Sequence, residues 1–386
     1  MIAYPILWDS GVYLPEQGLW LDPRKPRPRA VISHAHSDHV AAHPLAYATP
    51  ATRRLVTHRR RSTGTVEPLS YGQTLALDRC TVTLYPAGHV LGSAQTLVET
   101  DFGRVLYTGD LKTRAGFTSA PAEPVPADVL VLESTFGKPR YRFPDSAEVI
   151  AGVISWCKGV RDAGATPVLL GYSLGKGQEI LSALAAEGML IALHPSLFGV
   201  TEVYRELGCD LPAYERLGDM IGRPTVVITP PSARRSGLYD LVGEFKTAAL
   251  TGWAMDASLK DRLEVDAVFP LSDHADFEEL CCYAERVNAI MTYTVLGFDE
   301  ELALLAQLLA QVAEHRGRLV ADLARRQCLG DLGQRLQLLA HAEAVGRRGG
   351  GHLAVVPQPR DRARCTLEQV PAAALKGSGP AAEGGL

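Results

Sequence analysis

Residues 34–39 read His34-Ala35-His36-Ser37-Asp38-His39 and directly follow the run Ala30-Val31-Ile32-Ser33. Four side chains able to ligate a metal therefore sit within six residues, at the end of what reads as a buried strand. In an extended or turning segment every second side chain points the same way, so His34 and His36 can face one ion together. Asp38 and His39 open the next turn and can face a second. Imidazole and carboxylate at this density suit Zn²⁺, with Mn²⁺ or Fe²⁺ as alternatives. A solvated His-rich loop is the bland reading, but such loops rarely follow a buried strand with an acid set at this spacing. The motif favours a fold whose strand ends converge on metal.

Three later segments supply what that motif lacks. His89 sits in a Gly-bounded turn after the apolar segment 81–85. Asp110 follows the segment 104–108, and His274 follows 265–271. Each lies at the carboxyl end of a strand-like run, where the loops of α/β sheets gather their chemistry. A first ion would take His34, His36, His89 and Asp110. A second would take Asp38 and His39, with Asp110 bridging. Such a pair of ions would polarise a phosphoryl oxygen and hold a hydroxide nucleophile at neutral pH. Alone, His89 or Asp110 would read as structural; the first motif changes that reading.

The rest of the chain bounds the setting. Its 386 residues allow two domains, or one core with a large insertion. Basic residues number 39 against 43 acidic ones, which excludes a highly charged tail-type binder but leaves room for a local basic groove. Seven cysteines without C-x-x-C spacing argue against a disulfide framework and against a cysteine zinc site. No stretch approaches eighteen uninterrupted apolar residues and the first residues lack a signal-peptide pattern, so a cytoplasmic protein without a membrane span is expected. Short β-rich segments fill residues 1–140. Helical patterns at 147–158 and 176–187 then alternate with strands at 167–170, 189–193 and 225–228, an α/β unit. A strand at 265–270, a helix at 276–287 and a strand at 290–296 follow. Residues 299–345 read as helical, with the Leu-rich stretch 301–311 packed on the catalytic part. Residues 346–386 are rich in Gly, Pro, Ala and Arg and read as a disordered tail.

The order Asp22, His34-x-His36-x-Asp38-His39, His89 and Asp110 resembles the metallo-β-lactamase fold. Glu133-Ser134-Thr135-Phe136-Gly137 and Leu271-Ser272-Asp273-His274-Ala275-Asp276 resemble the further motifs of its nucleic-acid-processing branch, the β-CASP nucleases. That branch includes Artemis-type DNA repair nucleases and pre-mRNA 3′-end-processing endonucleases. Residues 85–94, 132–137, 174–178, 230–233 and 251–253 look most like the bacterial ligase-associated DNA exonucleases. The resemblance covers roughly residues 3–300.

It implies an α/β architecture: a four-layer αββα metallo-β-lactamase fold with an inserted α/β β-CASP cap domain. The first part would span residues 1–145, the insertion 146–264 and the second part, with C-terminal helices, 265–345. Asp22 would orient a ligand histidine rather than bind metal. His274 would be the general acid, hydrogen-bonded to Glu133, with Asp38 and Asp110 also catalytic through the metal. Lys176, Ser232, Arg234 and Arg235 would bind the scissile phosphate. The implied activity is metal-dependent DNA hydrolysis, from a 5′ end on single strands, in DNA repair. The cofactor would be Zn²⁺ or Mn²⁺, with one firm site and a second, weaker one. A DNA ligase and a helicase are the functional partners implied by resemblance. One position departs: where RNA-acting members have a second-metal histidine, this chain has Leu296, as Artemis-type DNA enzymes have an apolar residue. That weakens the second ion and tilts the reading towards DNA.

Other signals compete. Gly171-Tyr172-Ser173-Leu174-Gly175 is formally a serine-hydrolase elbow, but the metal loop has no place in such an enzyme. A phosphate role for the helix start at Gly175-Lys176 is favoured over it. Arg53, Arg54 and the run 59–61, with Arg140 and Arg142, would track a sugar–phosphate backbone or simply be solvated. Trp156 and Trp253 read as core rather than as stacking platforms. The rival functions are an RNA-processing nuclease, a small-molecule metallohydrolase and a non-catalytic scaffold.

Overall fold

Strand-like segments that alternate in facing direction, with apolar residues on both faces, must be covered on both sides, and layers follow from that. The computed structural model describes residues 6–60, 62, 64–184, 187–219, 225–235, 241–298 and 354–357. The first sheet is formed in chain order by β1 (Leu7–Trp8), β2 (Val12–Leu14), β3 (Leu19–Leu21), β4 (Arg29–Val31), β5 (His43–Ala48) and β6 (Gly64–Pro68). Helix α1 (Pro50–Arg59) interrupts it between β5 and β6. A second sheet begins with β7 (Thr74–Leu77), β8 (Cys80–Pro86), β9 (Ala94–Thr100), β10 (Gly103–Tyr107) and β11 (Val129–Glu133).

The chain then leaves for an inserted unit. It holds α2 (Ser146–Asp162), β12 (Thr166–Leu170), α3 (Lys176–Ala183), β13 (Ile191–Leu193), α4 (Pro195–Glu206), β14 (Glu215–Arg216), β15 (Val226–Thr229), β16 (Phe245–Leu250), α5 (Leu259–Leu263) and β17 (Ala267–Phe269). Its sheet is wholly parallel, in the order β14-β13-β15-β12-β16-β17. The helices that parallel crossovers require pack on its faces. Helix α6 (Phe277–Val287) and β18 (Met291–Val295) return the chain to the second sheet, where β18 pairs in parallel with β11.

Alternation decides which residue faces which layer. Val105, Tyr107, Val129 and Val131 meet Val12, Leu14, Leu21 and Val31 of the first sheet. Leu106, Leu130 and Leu132 point the other way, onto Leu280, Tyr283 and Val287 of α6. Those helical residues share one face, and Asp276 starts α6 by accepting from Glu279 N (3.0 Å) while Glu279 accepts from Asp276 N (2.9 Å). The outer face of the first sheet, Ala30, Ile32, Ala46 and Ala48, is covered by Leu55 and Val56 of α1 and by Val200, Val203 and Tyr204 of α4. Each buried Ile, Leu or Val side chain among them contributes about 1.5–3 kcal/mol by leaving water. The result is the four-layer αββα arrangement with an inserted α/β unit.

Two boundaries differ from the expectation. The segment 265–270 was expected to open the second catalytic part, yet β17 pairs with β16 and so belongs to the inserted sheet. Its short alternating run carries no sign of which sheet will accept it. In the segment expected to be a disordered tail, β19 (Ala354–Pro357) forms an edge strand antiparallel to β18. The expected helices over 299–345, the Leu-rich stretch 301–311 among them, and the rest of 346–386 lie outside the described residues. Among the described residues no helix is long and apolar enough to cross a membrane.

Candidate metal centre

Parallel strands carry most of the site at their carboxyl ends, while His89 comes from the turn between antiparallel β8 and β9. Asp22 follows β3 with a left-handed φ of 48°, and the 34–39 loop follows β4, which pairs with β3. Across the interface, Asp110 follows β10 and Glu133 ends β11, its parallel neighbour. Gly109, at φ 57°, lets these two halves meet: a Cβ there would lie 2.8 Å from the Ser33 Cβ.

The hydrogen bonds fix which nitrogen of each histidine is free. Ser33 Oγ donates its single proton to Asp22, so it accepts from His34 Nδ1 at 2.9 Å, leaving His34 Nε2 as a lone pair. His36 Nε2 donates to Leu174 O (3.1 Å) and His89 Nδ1 donates to Asp273 O (2.9 Å). The free atoms are then His34 Nε2, His36 Nδ1 and His89 Nε2. They converge, with 3.0 Å from His36 Nδ1 to His34 Nε2 and 3.1 Å to His89 Nε2. Three lone pairs facing one another repel unless a cation lies among them. Burial first, and then the neighbouring histidines, hold His34 and His89 well below the usual imidazole range; burial lowers His36 to about 4. Neutral imidazoles of this kind are what a divalent ion requires. With Asp110, whose Oδ2 lies 3.5 Å from both His34 and His89, they form a four-donor group whose ligand atoms lie within 4.8 Å of one another.

The second set is more open. Asp22 accepts from Ser33 N, His39 Nδ1 (2.8 Å) and Tyr107 Oη (2.9 Å), so its oxygens are engaged by donors and it orients His39. That leaves His39 Nε2 at 3.5 Å from Asp110 Oδ1 and 3.6 Å from the exposed Asp38. Burial opposes a charge on His39, but Asp110 and Asp22 outweigh it and raise the imidazole to about 10. The field there demands a proton or a metal cation. Asp110, pushed up to about 6 chiefly by burial, divides its two oxygens between the two sets. Leu296 follows β18 at φ 67° and packs against the core between the sheets, adding no donor.

Beside this cluster His274 Nδ1 lies 3.2 and 3.1 Å from the two oxygens of buried Glu133, and its Nε2 lies 4.0 Å from Asp110 Oδ2. Glu133 is itself held by the amide of Leu111. Burial would lower His274, yet Glu133 overrides it and lifts the imidazole to about 9. Glu133→Gln removes that support, so the alkaline limb of a pH–rate profile should move to lower pH by roughly one unit or more. A limb that stays in place would separate Glu133 from the proton-carrying group.

The inserted unit completes the cluster through residues 174–179. Leu174 O fixes His36, as above. Lys176 corrects the expectation of a phosphate ligand: its ammonium is buried and donates to Leu271 O (2.7 Å) and to Asp273 Oδ1 (2.8 Å). The helix start is no open anion site either, because Gly175 N donates to Gln178 Oε1 (2.8 Å) and Gly177 N to Tyr172 O (3.0 Å). Glu179 accepts from Thr118 N (2.8 Å) and Phe117 N of the catalytic part. Lys176 therefore seats Asp273, whose carbonyl holds His89 and whose neighbour is His274. Lys176→Met should cost roughly 3–5 kcal/mol by stranding a buried carboxylate. It should also weaken metal affinity about 10- to 100-fold. Metal titration beside thermal unfolding tests this: lower stability with unchanged affinity would leave Lys176 a merely structural role.

Ser232 is exposed in the 3₁₀ turn Pro231–Arg235 after β15; the side chains of Arg234 and Arg235 lie outside the described residues. The elbow reading of Ser173 finds no support, since its hydroxyl faces Ser196 (3.4 Å) on the exposed side rather than His274. Of the basic clusters, Arg59 donates to Ala35 O beside the metal loop and Arg54 pairs with Glu206. Trp156 packs in the inserted core as expected, whereas Trp253 does not: it is 37% exposed. Sequence reading missed Ser33, Tyr107 and Asp273. The first and last adjoin motif histidines, but Tyr107 gave no signal beyond strand alternation.

No family model matches the chain. A protein of Opitutus terrae named "Probable DNA ligase" is 40% identical over 304 residues, 78% of this chain and 30% of that protein. The "5′ exonuclease Apollo" of Gallus gallus is 32% identical over 291 residues, 69% of this chain and 58% of the relative. "RNase aCSPSF2" of Saccharolobus solfataricus is 30% identical over 187 residues, covering 40% and 37%. The chain thus spans less than two thirds of each of these relatives. The chain belongs to the β-CASP branch of the metallo-β-lactamase fold, the family related to Artemis.

Proposed function

We propose that this protein is a metal-dependent nuclease that hydrolyses DNA phosphodiester bonds, acting from a 5′ end on single strands. The observation that carries the reading is the His274–Glu133 pair set 4.0 Å from Asp110, at the edge of a buried donor cluster. His34, His36, His89 and Asp110 would hold a first Zn²⁺ or Mn²⁺, and Asp38 with His39 and Asp110 a weaker second. When bound, such an ion supplies Lewis acidity towards a phosphoryl oxygen and makes water a nucleophile near neutral pH. Asp22, Leu174 and Asp273 keep the imidazoles in the tautomers that present lone pairs. His274, kept protonated by Glu133, gives its proton to the departing 3′ oxygen.

The names of relatives divide between DNA and RNA. The apolar Leu296 favours DNA, as does the 40% identical region within a protein named as a ligase. That same arrangement supports a role in DNA repair beside a ligase; a helicase is a partner implied only by the family resemblance. The free thiols Cys80, Cys157, Cys209, Cys281 and Cys282 suit a cytoplasmic setting. Ser232 and the arginines Arg234 and Arg235 remain our candidates for contact with the phosphate.

Degradation of 5′- and 3′-labelled single-stranded DNA, with matched RNA, by metal-stripped protein resupplied with Zn²⁺ or Mn²⁺ tests the whole reading. Release of the 5′ label first, on DNA, is expected. Equal or faster cutting of RNA would overturn the DNA assignment, and no cutting of either would overturn the nuclease.

A further inference from the structure

We infer that Trp253 is a stacking platform for a nucleobase next to the scissile phosphate, an inference that rests on the nuclease reading above. Neighbouring parallel strands of the inserted sheet present their carboxyl-end loops side by side. The order β15-β12-β16-β17 brings Ser232, Tyr172, Trp253 and, a little beyond β17, His274 into adjacent loops. Trp253 lies in the 3₁₀ turn Gly252–Met255 directly after β16, beside the strand that leads to the general acid.

Its mounting is unusual for a residue left 37% exposed. The indole rests on Phe136 (centroids 4.7 Å apart) and meets Tyr141 and Phe298 edge-on at 5.5 and 6.2 Å. Phe136 is buried and in turn meets the His274 ring edge-on at 6.0 Å. One ring therefore separates the exposed indole from the general acid. Gly252 keeps the turn tight against this support, since a Cβ there would come within 2.5 Å of Phe136 Cζ. A rotamer fixed on three sides loses little entropy when a planar ligand covers its open part.

Charge around the cluster suits a nucleic acid. The Arg140 guanidinium lies 4.8 Å from the Tyr141 ring centre, and the Lys138 ammonium 4.1 Å from that of Phe298. Tyr172, 51% exposed just after β12, the strand that pairs with β16, offers a second aromatic surface in the adjacent loop. Aromatic faces interleaved with cations form the recognition chemistry of single strands, in which every base has a π face and every linkage a negative charge.

The test combines Trp253→Ala and Trp253→Phe with oligodeoxythymidylates carrying one abasic residue at successive positions. Binding is read by fluorescence anisotropy on metal-free protein and cleavage, as kcat and KM, on the Mn²⁺-loaded enzyme. Trp253→Ala should weaken binding about 10- to 100-fold and raise KM, and Trp253→Phe should recover most of it. Wild-type protein should lose a similar factor when one position near the cleaved bond is abasic. At that position Trp253→Ala should lose nothing more. Should Trp253→Ala fail to fold, the abasic scan on wild-type protein still decides. Equal binding at every abasic position, or strictly additive losses, would overturn the inference. Absence of metal-dependent cleavage by wild-type protein on unmodified DNA would instead overturn the nuclease reading on which it rests.

Discussion

Asp110→Ala is expected to remove both metal binding and activity. Its two oxygens serve the two halves of the cluster: Oδ2 faces His34 and His89 at 3.5 Å, and Oδ1 faces His39 at 3.5 Å. Among the described residues neither buried neighbour takes its place, because Asp22 is engaged by donors and Glu133 is turned to His274. Losing it leaves three neutral imidazoles and no anionic ligand in that group to balance a divalent ion's charge. Lewis-acid help amounts to several kcal/mol, so turnover should fall on the order of 10³-fold or more. Metal content after dialysis, beside hydrolysis of labelled DNA, checks both consequences. A variant that kept full metal content would show that the donors are not those assigned.

His274→Ala should separate chemistry from metal. Its Nδ1 is engaged with Glu133 and its Nε2 stands 4.0 Å from Asp110, outside the four-donor group. Deleting it should lower kcat by about 10²- to 10⁴-fold, the range for a positioned general acid, with metal content unchanged. A substrate whose 3′ oxygen is replaced by sulfur, a better leaving group, should recover part of that loss. Equal losses on both substrates would assign His274 to positioning or to metal instead.

The clustering of the candidate donors was legible because most of them are dense and local. His34, His36, Asp38 and His39 occupy one loop, and each later donor follows a strand whose alternation is plain. Lys176 was misread for a related reason. Beside a glycine at a helix start it carries the local pattern of a phosphate site, and nothing nearby shows Asp273, ninety-seven residues away, taking its charge. Trp253 was misread as core, since an aromatic residue between Gly252 and Ala254 carries no mark of its exposure. Likewise β17 reads as a short strand, and only pairing with β16 assigns it to the inserted sheet.

The sequence by itself therefore determined that strands would end in imidazoles and carboxylates, because ligand type and strand period are written within windows of a few residues. Only the tertiary structure decided which nitrogen of His36 and of His89 is free. That choice depends on acceptors supplied from elsewhere in the chain, Leu174 O for His36 and Asp273 O for His89, at separations of 138 and 184 residues. A hydrogen bond forms where two groups meet in space, and no local window of residues records that meeting.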